Sequence, residues 1–341
     1  MLVVVAGILA VSCGRAGGSG PAGGLRSTPI PVVNVGKVPF GVYMGPGQPE
    51  QVAYFARSTG TKPSLASDYL PRVDGWSGMV RVNSLRRYLA PWQGRGYRLV
   101  LGVPMIPTRH GHAVGTLEAG AAGRYDSEFT TLAKTLVSYG DGNAILRLGW
   151  EFNGTWYEWS VTDDTDAADF ASYFRHIVAA MRRVPGTSFR FVWNPTSGST
   201  PESAQSAYPG DASVDFIGLD LYDQVWDIPL SPVLAWPTYV SEANGLRWLS
   251  SFAATHHKPA VIPEWGVTIR SDGHGLGDDP LFVAEMAQWI STHDVAFTSY
   301  FDINASDGEH GLLDGHFPQA LSVFRRSFAA AVPARLADAS G

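Results

Sequence analysis

The sequence predicts one (β/α)₈ barrel, an α/β fold of the TIM-barrel class, and three observations lead to this prediction. Short apolar segments alternate with amphipathic helical segments, as in parallel βα units. Eight apolar segments can be counted, and no low-complexity linker divides the chain after Pro39. The chain has 341 residues, 45% of them hydrophobic, so it can bury a barrel-sized core, although this length would also allow two ordinary domains.

The predicted strands are spaced so that a helix fits between most neighbours. They span 40–45, 64–70, 98–103, 144–150, 189–193, 216–221, 260–264 and 296–301. One intervening helix has a clear helical period, because Phe170, Phe174 and Ile177 share one face. Asp166 is its expected N-cap, and Pro280 is expected to open another helix.

A doubly wound sheet is the alternative fold. Its dinucleotide-binding form needs a glycine-rich turn that leads from the first strand directly into a helix. The corresponding segment, Gly45-Pro46-Gly47, contains a proline that blocks this entry in the usual way. The barrel is therefore the preferred prediction, and it places the active site at the C-terminal ends of the strands.

The N-terminal region predicts export. Residues 1–12 are almost wholly apolar and have the length of a signal-peptide core, too short to span a bilayer. The single cysteine, Cys13, follows Leu9-Ala10-Val11-Ser12, which resembles the lipobox of bacterial lipoproteins. We therefore expect a signal peptide or lipobox at 1–13, a flexible Gly/Pro/Ser-rich linker at 14–38 and a folded domain at 39–330. The protein would be secreted, or anchored to the outer face of the cell membrane through a lipid on Cys13.

Composition excludes some classes of partner. The formal net charge is −6 and the sequence pI is about 5.8, so the basic excess needed for nucleic-acid binding is missing. The chain contains 11 Trp, 13 Tyr and 16 Phe, and such rings suit stacking on sugar faces, although most of them are expected in the core. We expect a monomer that binds a polysaccharide or oligosaccharide and no nucleic acid.

Two glutamates stand where a barrel carries its chemistry. Glu151 and Glu264 each end an apolar strand, and each is flanked by tryptophan. Burying an unpaired carboxylate costs several kcal/mol, so a core role is disfavoured, while an ion pair with Arg147 is the structural alternative. Two carboxyls that face each other, one protonated and one ionised, are what glycoside hydrolysis requires.

Other polar clusters are weaker candidates. His110 and His112 look like a metal pair but lack a third ligand at recognisable spacing, so no metal and no cofactor is expected. His256 lies near a predicted helix C-terminus, where imidazole suits the helix dipole. Glu158 follows Glu151 in an aromatic loop and is a lesser candidate for contact with a sugar hydroxyl.

Four ordered motifs resemble those of glycoside hydrolase family 26, a family of retaining β-mannanases and relatives. Trp-Glu-Phe-Asn-Gly-Thr-Trp at 150–156 resembles the acid/base segment, and Pro-Glu-Trp-Gly at 263–266 resembles the nucleophile segment. The segments 191–195 and 218–223 are similar to the ends of its fifth and sixth strands. The resemblance covers about residues 40–325 and itself implies a (β/α)₈ barrel.

Carried over residue by residue, the resemblance implies roles for individual side chains. Glu151 would be the acid/base, Glu264 the nucleophile, and Tyr222 the hydroxyl that orients the nucleophile. Substrate contacts are expected from Trp150, Asn153, Trp156, Trp193, Asn194, Tyr222 and Trp265. Two departures bear on mannan specificity, because Trp150 replaces a histidine and Tyr300-Phe301 stands where a tryptophan often ends the eighth strand.

The predicted function is therefore a retaining endo-acting β-glycanase, with β-mannan or a related β-linked glucan or xylan as substrate. One alternative is an inactive barrel that serves as a glycan-binding surface lipoprotein. Another is an enzyme that acts on the envelope or exopolysaccharide of the producing cell. The motifs do not distinguish among these substrates, because the loops around the cleft, and not the catalytic motifs, determine which sugar chain fits.

Overall fold

The computed structural model describes residues 30, 32–198, 200–226 and 228–330. The predicted signal segment, with Cys13, and most of the predicted linker lie outside the described residues. The end of the linker belongs to the folded domain, because Val35 is 4% exposed and its N–H donates to Ser327 O at 2.8 Å. Asn34 likewise donates from its side chain to Ala329 O. The folded part therefore begins before Pro39, earlier than predicted.

Eight parallel strands form the predicted barrel. The strands in chain order are β1 (Phe40–Tyr43), β2 (Leu65–Tyr69), β3 (Arg98–Val103), β4 (Thr108–Arg109), β5 (His112–Ala113), β6 (Ile145–Leu148), β7 (Arg190–Trp193), β8 (Phe216–Tyr222), β9 (Ala260–Gly266) and β10 (Val295–Phe301). The barrel sheet has the order β1-β10-β9-β8-β7-β6-β3-β2. Its two ends meet where Ser64 N–H donates to Phe40 O at 3.0 Å. This arrangement confirms the predicted fold class, and the antiparallel pair β4–β5 is a small hairpin outside the barrel.

Helices cover the outside of the barrel. They are α1 (Pro49–Thr59), α2 (Gly75–Val80), α3 (Val82–Leu89), α4 (Leu117–Ala121), α5 (Asp126–Tyr139), α6 (Asp164–Arg182), α7 (Pro232–Ser241), α8 (Leu246–Thr255), α9 (Pro280–Thr292) and α10 (Pro318–Phe328). Pro280 opens α9 as predicted. The N-cap of α6 is Asp163 and not Asp166, because Asp163 Oδ1 accepts from the N–H groups of Thr165 and Asp166.

The barrel interior is filled by one inward side chain from each of six strands. This buried cluster comprises Leu65, Val100, Ile145, Val192, Val261 and Phe297. Side chains from strands on opposite sides of a barrel can meet in this way only on its axis. This apolar cluster packs the barrel interior beneath the C-terminal strand ends. None of the helices in the described part of the chain combines the length and the apolarity of a membrane span.

Candidate active site

The two predicted catalytic glutamates lie together at the C-terminal mouth of the barrel. Glu151 follows β6 by three residues, and Glu264 lies within β9, opposite Asp220 of β8. One carboxylate oxygen from each of Glu151, Asp220 and Glu264 lies within 4.8 Å of the other two. Two distant segments of sequence thus supply one compact group of carboxyls.

The backbone turns sharply between β6 and Glu151. Gly149 and Glu151 both have φ of 53°, and Glu151 N–H donates to Asn194 O at 2.7 Å. A side chain in this left-handed region costs about 1–2 kcal/mol, which is unusual for a glutamate. At Gly149 a Cβ would lie 2.5 Å from Met105 Sδ. The turn aims the Glu151 side chain into the barrel mouth, and strain of this kind is typical of functional sites.

Glu151 has the environment of a carboxylic acid that keeps its proton. Burial, and then the negative charge of Glu264, raise the pKa of Glu151 to about 8. Trp156 Nε1 donates to Glu151 Oε2 at 2.9 Å and opposes this shift in part. At neutral pH the carboxyl is therefore protonated and can act as a general acid.

Glu264 has the opposite environment, because hydrogen-bond donors surround it. Tyr222 OH donates to Oε1 at 2.6 Å, and Arg147 Nη2 donates to Oε2 at 2.9 Å. Tyr69 OH also donates to Oε2. Donors and a cation stabilise negative charge on a carboxylate, which is the state that a nucleophile needs. The two glutamates thus differ in environment as acid and nucleophile do.

Arg147 is the centre of the polar network beneath the glutamates. Its side chain is 1% exposed, and Nη2 also contacts Asp220 Oδ2 at 2.5 Å. Nε donates to Asn194 Oδ1 at 2.8 Å, and Nη1 donates to Tyr69 OH at 2.9 Å. The ion pair that the sequence suggested therefore exists, but it supports the site instead of replacing its chemistry. Arg147 thus contacts two carboxyls at once, and burial raises the pKa of one of them, Asp220, although the guanidinium opposes this shift.

The same carboxyl group is where described side chains come close enough to hold a metal ion. Arg147 already places a positive charge between Asp220 and Glu264. A divalent cation beside it would be repelled and would have to displace charge-assisted hydrogen bonds. The donor set therefore fits an arginine-supported carboxylate pair better than a metal centre, and the absence of a metal requirement stays a prediction.

A cleft of about 980 Å³ opens above the glutamates. Of the predicted substrate-binding residues, Trp150, Trp156 and Tyr222 line it. Trp156 is 53% exposed, so its ring is free to stack on a sugar. Lining residues that were not predicted include Tyr43, Tyr69, Arg72, Tyr157, Trp226 and Arg270.

Two predicted polar contacts, Asn153 and Asn194, are corrected by the structure. Asn153 is 1% exposed, and its side-chain amide exchanges hydrogen bonds with the backbone of Thr196 at 2.8 and 2.9 Å. Asn194 is fully buried and binds Arg147 through Oδ1. Neither lines the cleft, because Asn153 connects the loops after β6 and β7 and Asn194 holds Arg147 beneath the site.

Two predicted aromatic contacts, Trp193 and Trp265, are also corrected. Both are fully buried on the outer face of the barrel. Trp193 packs against Phe252 of α8 with ring centroids 5.4 Å apart. Trp265 packs against Phe328 of α10, also at 5.4 Å. These rings join strands to helices, and the adjacent residues in the strands, not these, face the barrel interior.

Sequence reasoning missed Tyr69, although a signal for it existed. Tyr69 is the last residue of β2, so it lies at the C-terminal mouth of the barrel, as the two glutamates do. The sequence pattern shows Tyr69 only as part of an apolar strand, whereas in the structure its hydroxyl contacts both Arg147 and Glu264. The rule that polar groups at strand ends are functional would have found it.

The minor candidates lie apart from the chemistry. His110 and His112 belong to the exposed β4–β5 hairpin and do not line the cleft. His256 pairs with Asp211 at 2.8 Å. Glu158 contacts Arg72 Nη1 at 2.8 Å, so its carboxylate connects two loops at the cleft mouth.

Comparison of the sequence with known proteins finds relatives among enzymes that act on polysaccharides. Residues 115–235 match the family model of Glycosyl hydrolase family 26. A mannan endo-1,4-beta-mannosidase of Bifidobacterium adolescentis is 27% identical over 201 residues, which cover 56% of this chain and 20% of that protein. A beta-1,3-xylanase of Alcaligenes sp. is 27% identical over 172 residues, which cover 49% of this chain and 30% of that protein. The match thus spans less than a third of either relative.

Solved structures give the same fold. The catalytic domain of an endo-beta-1,4-mannanase of family 26 from Bacillus sp. JAMB-750 superposes with a TM-score of 0.63 at 16% identity, covering 86% of this chain and 87% of that one. A modular endo-beta-1,4-mannanase from Cellulomonas fimi has a TM-score of 0.60 at 20% identity, covering 87% and 71%. At these identities the likeness establishes the barrel. Together with the family match, it confirms the resemblance to glycoside hydrolase family 26.

Proposed function

Because this chain is related to glycoside hydrolase family 26 through residues 115–235, we propose that the protein is a retaining glycoside hydrolase of β-linked polysaccharides. The observation that carries this proposal is the pair Glu151 and Glu264, with carboxylate oxygens within 4.8 Å and contrasting environments. A pair of carboxyls about 5–5.5 Å apart suits a covalent intermediate, whereas an inverting pair stands about 6.5–9.5 Å apart to admit water. The observed proximity supports retention.

In the proposed reaction, Glu264 attacks the anomeric carbon and displaces the leaving sugar. Glu151 gives its proton to the departing oxygen, and the bond between the anomeric carbon and that oxygen breaks as the glycosyl-enzyme bond forms. Glu151, now ionised, then takes a proton from water, whose oxygen attacks the anomeric carbon and releases Glu264. The configuration is inverted twice and so retained.

The proposed substrate is a β-mannan, attacked within the chain. The relatives named as mannanases support this choice, and the relative named as a beta-1,3-xylanase makes xylan the second substrate to test. Trp150 and Phe301 line the cleft at the two positions where this sequence departs from the family pattern. A panel of mannan, glucomannan, β-1,3- and β-1,4-xylan and β-glucan, assayed for new reducing ends, tests the substrate class.

Matched variants connect any activity to the proposed site. Glu264→Ala should abolish turnover of every substrate, because no covalent route remains. Glu151→Ala should lose activity on polysaccharide yet still react with an activated aryl glycoside, whose leaving group needs no proton. Azide should restore turnover in Glu151→Ala and give a β-azide product, which reports retention.

Two outcomes would overturn the proposal. If the wild-type protein binds glycans but releases no reducing ends from the panel, the glycan-binding alternative is correct. If both glutamate variants keep wild-type activity, the active site lies elsewhere.

The N-terminal sequence also supports a proposal about where the protein acts. We propose that residues 1–13 direct export and that the protein acts as a monomer outside the cell, either released or held by a lipid on Cys13. Labelling with a fatty-acid analogue should mark the wild-type protein and not Cys13→Ser. Equal labelling of both would contradict the lipid anchor.

A further inference from the structure

Trp150, the residue before the acid/base, uses its only polar hydrogen within the protein. Its Nε1 donates to Tyr157 OH at 3.0 Å, and the side chain is 5% exposed. Trp150 lines the cleft with its ring, but it has no other hydrogen to offer a sugar. The indole of Trp150 therefore offers a sugar no hydrogen bond, but it holds a side chain that can donate one, Tyr157.

Tyr157 has a free hydroxyl hydrogen at the cleft surface. Its oxygen accepts the bond from Trp150, so its own hydrogen points elsewhere. Within the described residues, no protein acceptor lies in hydrogen-bonding position for it, and Tyr157 lines the cleft beside Glu151 and Trp156. The neighbouring Trp156 Nε1 is already bonded to Glu151. Tyr157 is thus a donor in this loop that is still available to a ligand.

The Tyr157 ring is held in place before any ligand arrives. It stacks on Trp159 with centroids 4.5 Å apart and an interplanar angle of 14°. Trp159 is fully buried, and its Nε1 donates to Trp150 O at 2.9 Å. Trp150, Tyr157 and Trp159 thus hold one another in place. The Tyr157 hydroxyl therefore loses little conformational freedom when it binds a ligand, and such preorganisation favours catalysis.

Tyr157 also lies close to the reacting groups. Burial, followed by the negative charges of Glu151 and Glu264, raises the pKa of Tyr157 above its ordinary value. The phenol therefore keeps its proton over the whole working range and remains a donor.

We propose that Tyr157 is a further catalytic residue, which donates a hydrogen bond to a hydroxyl of the sugar held between Glu151 and Glu264. This inference rests on the proposed glycosidase function. Hydrogen bonds to ring hydroxyls of that sugar strengthen as the oxocarbenium-like transition state forms, so the contact should act on kcat more than on KM.

The test compares Tyr157→Phe, Trp150→Phe and the double variant on dinitrophenyl β-mannobioside and β-xylobioside. Departure of dinitrophenolate needs no proton from Glu151, so a slower release of dinitrophenolate in the first turnover cannot come from a disturbed acid, and this burst is measured beside kcat. We expect Tyr157→Phe to lower kcat about 10- to 100-fold with a smaller change in KM. Trp150→Phe keeps the hydroxyl and should lose less, and the double variant should be no worse than Tyr157→Phe.

Deoxy analogues that lack one hydroxyl of the sugar next to the leaving group identify the contact. The wild type should lose rate on one analogue, and Tyr157→Phe should treat that analogue and the parent alike. Equal losses for Tyr157→Phe and Trp150→Phe on parent and analogues alike would assign the pair a structural role and overturn the proposal. So would a Tyr157→Phe variant within threefold of wild type. Failure of the wild type on every substrate would instead refute the proposed function itself.

Discussion

Removal of the Arg147 guanidinium should destabilise the barrel mouth more than any surface ion pair could. Arg147→Met keeps much of the side-chain volume but leaves the fully buried Asp220 without its cation. The same change removes donors to Asn194, Tyr69 and Glu264. Breaking a buried pair from one side costs about 3–5 kcal/mol, because an uncompensated charge remains in a low-dielectric site. We expect a loss of that size in the free energy of unfolding at neutral pH.

The pH dependence of this loss has a definite sign. Burial raises the pKa of Asp220 above its usual range, and Arg147 opposes that shift in the wild-type protein. In Arg147→Met the opposition is gone, so the pKa of Asp220 rises further and the folded variant holds the Asp220 proton to higher pH than the folded wild type does. Stability falls with rising pH wherever the folded state binds more protons. The unfolded state is common to both proteins, so the pH dependence of the deficit comes from the folded states alone. The deficit should be largest at high pH, and it should shrink as the pH falls toward the raised pKa of Asp220 in the wild-type protein.

Urea unfolding followed by tryptophan fluorescence measures both effects. Arg190→Met is the matched control, because Arg190 pairs with Asp215 but is 59% exposed. An exposed pair contributes about 0–1 kcal/mol, so this control should unfold nearly as the wild type does. If Arg147→Met is no less stable than Arg190→Met, or if its deficit grows on acidification, the role given to Arg147 is wrong.

Three further predictions concern the acid, its turn and metal independence. The rate of polysaccharide hydrolysis should fall above about pH 8, where Glu151 loses its proton, while the rate on dinitrophenyl glycosides should not. Parallel pH–rate profiles for the two substrates would contradict the role of Glu151 as general acid. Gly149→Ala puts a Cβ 2.5 Å from Met105 Sδ at φ 53°, so it should lower the free energy of unfolding in urea by about 1–3 kcal/mol and reduce kcat. An unchanged urea midpoint would contradict the strained turn. Exhaustive chelation should leave activity intact, because Arg147 supplies the buried positive charge; loss that a divalent ion reverses would argue for a metal.

The sequence alone determined the fold class and the two glutamates. Apolar strands separated by helices of regular period left few alternatives to a parallel barrel, because each βα unit must bury its strand under its helix. Glu151 and Glu264 were visible because a carboxylate directly after an apolar strand is costly unless it has a function. Both conclusions use only local sequence. Because the C-terminal ends of all parallel strands lie at the same end of a (β/α)₈ barrel, the fold class then predicts that the two glutamates lie close together.

The tertiary structure alone decided which neighbouring side chains face the sugar. Strands of a parallel barrel are buried on both faces, so they lack the alternation that tells inside from outside. For this reason Trp193 and Trp265 were expected at the cleft but pack on the outer helices, while Tyr69 passed as an apolar strand residue. Loop contacts such as the hydrogen bond from Trp150 to Tyr157 depend on the path of an irregular loop, and hydrophobic periodicity in the sequence does not predict that path.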